Sequence, residues 1–498
     1  MPFAQPITLD YRSCGIVDRV STPQPSAVPD GEDLTSLARS MRLLFELSAR
    51  TLTENAGPSE LALRVIGHLD CELPAVVPVT KRFPLWEHVN IQRGVDAYLA
   101  GQPGDRSWFG ASGLGHRPRE DMLSLISMPS YFGGVRPGAA VYGTAATGPQ
   151  SNAEVVMFGL VTSTAPDGAP VVIGIHNESQ HGPNVCTLEV LAADPSAGAA
   201  TRDEIERLMR VHDVFRGQVL SFTASEHHGN ELVSFLPRPA VSADDIVLPG
   251  GLLEHIEAHI IGVADWSAEL LGAGQHLKRG LLLHGPPGTG KTHTVRYLMG
   301  RLDSCTVILL TGLSIRFIDQ AAALARRLQP SVVVLEDVDL VALDRDYAPD
   351  GQPLLFSLLE AMDGIGTDAD VTFVLTTNRA DVLETALADR PGRIDLAVEI
   401  PRPDPQCRER LLRVYARDLR IAADLGPVVA GTEGVTASFV KEMIRRTVLV
   451  SLRAGDTPPV LRSAYFADVL DEMTGERQAL TRSLLGGNPG GRNPARPE

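Results

Sequence analysis

Between about residues 245 and 475, short runs of Val, Leu and Ile alternate with helical patterns, and one junction reads RGLLLHGPPGTGKTHTVRYL. Parallel strands cannot be joined by a tight turn and need crossover helices, so this alternation predicts a parallel sheet covered on both faces. The junction narrows the choice further. LLLH supplies a strand, THTVRYL supplies a helix, and the spacing of Gly285, Gly290, Lys291 and Thr292 between them fits a phosphate-binding loop in its required context. Glycines let backbone amides turn inward as an anion-binding nest, and the helix N-terminus adds a favourable dipole.

The expected binding loop comprises Gly285, Pro286, Pro287, Gly288, Thr289, Gly290, Lys291 and Thr292. In such a loop Lys291 reaches the β- and γ-phosphates of a nucleotide and the Thr292 hydroxyl ligates Mg²⁺. The chemistry also needs a buried strand that delivers an acid beside the metal. SVVVLEDVDL, Ser331 to Leu340, is such a strand by composition and runs into Glu336, Asp337 and Asp339. VTFVLTTN is a second buried strand ending on Asn378, which either orients a water or is an ordinary strand-end turn residue. ALADRPGRID sets Arg390 and Arg393 on a Pro-Gly turn, where arginines are either solvated or free to serve a site.

At 498 residues the chain exceeds what one core usually supports, and its 44% hydrophobic content suffices for several. A formal net charge of -16 disfavours nucleic acid as a partner, because every phosphate contact needs a compensating cation. Five scattered cysteines without CxxC spacing argue against a disulfide framework or a zinc finger, and free thiols in a reducing compartment are expected. The N-terminus lacks the layout of a signal peptide, and no apolar run approaches the roughly 20 residues that cross a bilayer. A cytoplasmic location without a membrane span follows as the expectation.

The expected organisation is a flexible arm over 1–30, a helical module over 31–115, a small α+β module over 150–240, the α/β core over 244–402, a helical segment over 403–476 and a disordered Gly- and Pro-rich tail over 477–498. In the α+β module, VVMFGLVTS and PVVIGIH form a hairpin, NVCTLEVLA adds a strand, Thr201 and Glu204 make a capping box, and GQVLSFTA and ELVSFLP close the module as strands. His176, His181, His227 and His228 lack ligand spacing and are expected to be solvated.

Taken together and in this chain order, these motifs resemble the AAA family of ATPases over roughly residues 244 to 475. The resemblance implies a doubly wound α/β core with a C-terminal helical lid, preceded here by helical and α+β N-terminal modules, and Mg²⁺-dependent hydrolysis of ATP. It makes Asn378 a sensor of the γ-phosphate, and Arg390 and Arg393 arginine fingers reaching the neighbouring subunit's nucleotide, which implies a ring, most often a homo-hexamer. Asp245 and Ile246 match the segment that packs on the adenine, and Thr436 and Ala437 stand where many members carry a Gly-Ala pair. Most members place Asp before Glu on the acidic strand. The reversed order here resembles the branch that includes the mitochondrial Rieske-protein translocase, whose LEDVD and RPGR stretches look much like these. Side-chain alternation along the strand then turns Glu336 toward Mg²⁺ and leaves Asp337 to orient the attacking water.

The resemblance implies a machine that remodels a protein client chosen by the N-terminal region. The client is not named by any motif, and a nucleotide-gated scaffold with slow hydrolysis is the alternative. No HExxH motif follows the lid, so a fused metalloprotease is not expected. Threading members carry a pore aromatic after the second strand. Here the segment is TGLSIRFIDQAAALARRLQP, in which Phe317 is either that aromatic or a core residue.

Overall fold

A computed structural model describes residues 40–43, 57–102, 106–112, 122–127, 135–178, 185–224, 231–339, 354–366, 369–379 and 393–484. Helix α1 (Glu60–Leu69) is capped by Ser59, whose hydroxyl accepts from the Ala62 amide at 3.1 Å, and its apolar spacing buries Leu61, Ala62, Val65 and Leu69. After it come β1 (Val77–Pro84), α2 (His88–Ala100), β2 (Val141–Ala146), β3 (Asn152–Thr164), β4 (Pro170–Glu178), β5 (Val185–Ala192) and α3 (Pro195–Val211). The hairpin β3–β4 forms as expected, and β5 joins it. The stretch expected to be helical up to residue 115 contributes β1, which pairs antiparallel with β5, so that one five-stranded sheet runs β1-β5-β4-β3-β2. Helix α3 starts earlier than the capping box at Thr201 would have it. Asp194 caps it by accepting from the Ser196 amide at 2.9 Å, Pro195 fills the first position, and Thr201 lies buried inside with its hydroxyl on the Ala197 carbonyl. His176 is buried rather than solvated, with Nε2 3.6 Å from a Glu189 carboxylate oxygen, while His181, His227 and His228 lie outside the described residues.

The second sheet contains β6 (Val219–Ala224), β7 (Glu231–Leu236), β8 (Arg279–His284), β9 (Thr306–Thr311), β10 (Ser331–Glu336), β11 (Val371–Thr377) and β12 (Leu396–Glu399), in the order β12-β8-β11-β10-β9-β6-β7. All pairs are parallel except the hairpin β6–β7. This differs from the expected boundary near residue 240, because the strands read as closing the small module extend the large sheet instead. Strand β6 shows why. Leu220 and Phe222 enter the core on one face and Val219 the core on the other, so the strand is buried on both sides as a parallel sheet requires.

Helices α4 (Leu252–Asp265) and α5 (Lys291–Arg301) cover one face through Ile256, Ile260, Val295 and Leu298; α6 (Ile318–Arg327) and α7 (Leu354–Asp363) cover the other through Ile318, Ala321, Leu324, Leu358 and Met362. The doubly wound core is thus present. Phe317, at the end of a 3₁₀ turn over Gly312–Phe317, is a core residue and not a pore aromatic. It is 6% exposed, with its ring centroid 6.0 Å from that of Phe222 on β6. The extra hairpin supplies the apolar surface that draws it inward. Phe317→Ala is expected to cost about 3–5 kcal/mol and to lower the thermal unfolding midpoint clearly; an unchanged midpoint would contradict the packing.

The same core continues into the N-terminal unit through Val89, Val155 and Phe215. An ionic node accompanies it. Arg327, at the end of α6, pairs with Glu87 and, at 2.9 Å, with Asp213, while Asn90 donates to Glu87 at 2.9 Å and to Asp213 at 3.1 Å. Burial pushes both carboxyls above their usual range, against the pull of the Arg327 guanidinium. The lid is built from α8 (Pro405–Tyr415), α9 (Leu425–Gly431), α10 (Ala437–Arg453) and α11 (Ser463–Leu484), packed around Leu411, Leu412, Val440, Met443, Ile444 and Phe466. Helix α11 runs to Leu484, past residue 477 where a disordered tail was expected to begin. The arm over 1–30 lies outside the described residues.

Candidate active site

Parallel pairing aligns the carboxyl ends of the central strands. His284 at the end of β8 stands opposite Thr377 at the end of β11, and Leu335 on β10 opposite Leu375 on β11. The residues that follow, Gly285, Asp337 and Asn378, therefore meet in the crevice beyond the sheet, where open α/β sheets bind their ligands.

The loop after β8 turns through Gly285 (φ 137°), Gly288 (φ 78°) and Gly290 (φ 115°), values that a side chain would strain. Two of the three also permit close approach. A Cβ on Gly285 would lie 2.4 Å from the Ile400 carbonyl oxygen, and one on Gly288 would lie 2.9 Å from Ser438 Oγ in the lid. Pro287 is exposed at the loop tip, and Thr289 closes the turn by donating its hydroxyl to the Pro286 carbonyl at 2.9 Å. Lys291, the first residue of α5, is 6% exposed and donates through Nζ to the carbonyls of Gly285 (2.8 Å) and Pro286 (3.0 Å) and to Asn378 Oδ1 (2.9 Å). Burial lowers its pKa, while Asp337 and Asp339 pull the other way.

The two carboxylates after β10 face different partners. Glu336 faces the Thr292 hydroxyl, and burial raises its pKa against the pull of that hydroxyl. Thr292 and Glu336 thus bring two hard oxygens together, and the desolvated carboxylate favours a nearby cation. This suits Mg²⁺, which takes few protein ligands and completes its shell with phosphate and water oxygens. Asp337 adopts a left-handed φ of 53°, its amide donates to Thr376 Oγ1 at 3.0 Å, and its Oδ1 accepts from Asn378 Nδ2 at 3.3 Å. Asn378 therefore bridges the loop cation and the second acid with its two amide ends.

Asp245 and Ile246 lie between core and lid. Asp245 caps its own turn through Ser242 and pairs with Arg417, whose hydrogen bond contributes most to holding the carboxyl at about 2. Ile246 is buried beside Val295 and Leu298. At the lid, Thr436 stands at the N-terminal boundary of α10 without a side-chain capping bond, Ala437 is buried, and the Ser438 amide donates to the Gly288 carbonyl at 3.0 Å. Sequence reasoning missed Ser438; the signal was its place in the first turn of α10, where backbone amides have no partner within the helix.

Arg393 is not placed as a finger. Its Nε and Nη2 donate to the two oxygens of Asp363 at 3.0 and 2.6 Å, and its side chain is 7% exposed, so the fork is consumed within its own subunit. Arg390 lies outside the described residues.

Residues 281–402 match the family described as ATPase family associated with various cellular activities (AAA). The chain is 30% identical over 258 residues to the proteasome-activating nucleotidase of Methanopyrus kandleri, covering 48% of this chain and 58% of that protein. It is 29% identical over 212 residues to proteasome-activating nucleotidase 2 of Halobacterium salinarum, covering 40% and 51%. With the ATP-dependent zinc metalloprotease FtsH 2 of Methylacidiphilum infernorum it shares 32% identity over 197 residues, covering 36% and 31%. The chain spans about half the length of the nucleotidases it matches, and less of the metalloprotease. The strand order, the loop before α5 and the paired acids after β10 lie within or beside the matched span, and the chain carries an AAA ATPase domain, which uses ATP with Mg²⁺.

Proposed function

We propose that this chain assembles into a homo-hexameric ring that hydrolyses ATP to remodel a protein client selected by its N-terminal unit. One observation carries the reading: the Lys291–Asn378–Asp337 bridge gathers a phosphate-binding cation, a sensor amide and a water-orienting carboxylate in one hydrogen-bonded group. Glu336, with Thr292, holds Mg²⁺, and the Glu-before-Asp order supports the translocase-like branch. Asp245 and Ile246 border the adenine. The names of the relatives, a proteasome-activating nucleotidase and an ATP-dependent metalloprotease, support ATP-driven work on proteins. No helix among the described residues is long and apolar enough to cross a membrane.

Arg390 is the residue proposed to act in the neighbouring site, while Arg393 anchors the chain next to it through Asp363. With Phe317 in the core, the apolar side chain that the 3₁₀ turn presents outward is Leu313, 60% exposed. A client gripped from this turn would meet Leu313.

Mixing two inactive variants tests the ring. Lys291→Ala subunits retain Arg390, and Arg390→Ala subunits retain an intact phosphate loop. If sites are completed in trans, random mixed rings at equal ratio recover about one quarter of wild-type turnover per subunit. No recovery, with mixed assembly verified by pull-down between differently tagged subunits, would remove the shared site and favour the nucleotide-gated scaffold.

A further inference from the structure

We propose that Asp339, two residues beyond the water-orienting acid, is a positioning residue that sets where Asn378 presents its amide during hydrolysis. The proposal rests on the reading of Asp337 and Asn378 as the water-handling pair. Asp339 is 5% exposed, and a single carboxylate oxygen, Oδ1, accepts from the Thr377 hydroxyl at 2.9 Å and from the Asn378 backbone amide at 3.0 Å. Thr377 Oγ1 in turn accepts from the Arg379 amide at 3.0 Å. The three residues that leave β11 are thus fastened to one acid on the segment leaving β10.

A second tie runs the opposite way, from the Asp337 amide to Thr376 Oγ1. The two strand ends are laced by bonds of opposite direction, and the Asn378 amide is itself one of the laces. At a strand end its backbone amide has no ladder partner, and a buried amide left unpaired moves to find one. Asp339 supplies that partner and so fixes the origin of a side chain whose far end touches both Lys291 and Asp337. The left-handed turn at Asp337 lets the chain double back and bring Asp339 under β11. An acceptor with two lone pairs in this place is what the geometry needs.

The test is steady-state ATPase kinetics of the full chain with Mg²⁺-ATP, beside thermal unfolding. Asp339→Ala is expected to lower kcat about 100-fold, the effect of displacing a reacting group by about 1 Å, with KM changed less than about threefold. Asp339→Asn keeps an acceptor oxygen and is expected to recover most of the loss, and Thr377→Val, which removes one donor, to fall between. In an Asn378→Ala background, Asp339→Ala is expected to add almost nothing to the loss in kcat, whereas a merely structural role would lower the unfolding midpoint and add its full effect. Wild-type kcat in Asp339→Ala, an equal loss in affinity, or an Asn variant as poor as the Ala variant overturns the proposal. If Asp339→Ala fails to fold, Thr377→Val decides, and an unchanged kcat there overturns it. Wild-type turnover in Asn378→Ala and Asp337→Asn would instead remove the underlying reading, a result separable from any failure at Asp339.

Discussion

Lys291→Ala is expected to weaken ATP binding by about 10²- to 10⁴-fold. Two hydrogen bonds from a charged donor to phosphate oxygens contribute about 1.5–3 kcal/mol each, and the combined loss converts to that range of Kd. The structure favours the lower part of it, because the three donors of the enclosed ammonium are already held on Gly285, Pro286 and Asn378, and phosphate must displace some of those bonds. The Asn378 amide also loses one of its two anchors. Titration calorimetry with Mg²⁺-ATP measures the effect, and a Kd within about threefold of wild type would mean that the loop does not hold phosphate through this residue.

On the proposed role of Asp337 in orienting the attacking water, Asp337→Asn is expected to lower turnover by about 10²- to 10⁴-fold while leaving Mg²⁺-ATP binding nearly intact. Glu336→Gln is expected to behave differently and raise the Mg²⁺ concentration needed for binding. The contrast follows from partners and not from chain length alone: Glu336 faces the Thr292 hydroxyl, and Asp337 faces Asn378. Filter binding at graded Mg²⁺ and single-turnover hydrolysis separate the two steps. Exchanged phenotypes would mean that the acids serve opposite roles and that their order does not report their facing.

The parts of the fold legible in the sequence were those set by local physics. Glycine spacing before Lys291, runs of β-branched and aromatic residues at Val332–Val334 and Val371–Val374, and helical periodicity in α2 each act within one turn or one strand, and all appear where expected. What stayed hidden depended on distant surface. The run GQVLSFTA looks the same whether it pairs with β5 or with β9; only the apolar flank of α6 decides, and Phe317 is buried for the same reason. Thr201 and Glu204 fit a cap by spacing, but Asp194 followed by Pro195 nucleates the helix earlier. Arg393 reads as free in a Pro-Gly turn because its partner, Asp363, lies on another helix. Asp339 was visible in LEDVDL, yet its work belongs to β11, and no periodicity couples the two strands.

The hairpin β6–β7 makes the unit of folding different from the unit of sequence. A polypeptide cut just before the nucleotide-binding half would leave β9 as a bare edge and uncover Phe317 and the flank of α6, so that half packs fully only with the strands that precede it. In mechanical terms the N-terminal unit is welded to the nucleotide-binding half by a shared core and the Arg327 node, and no swivel separates them.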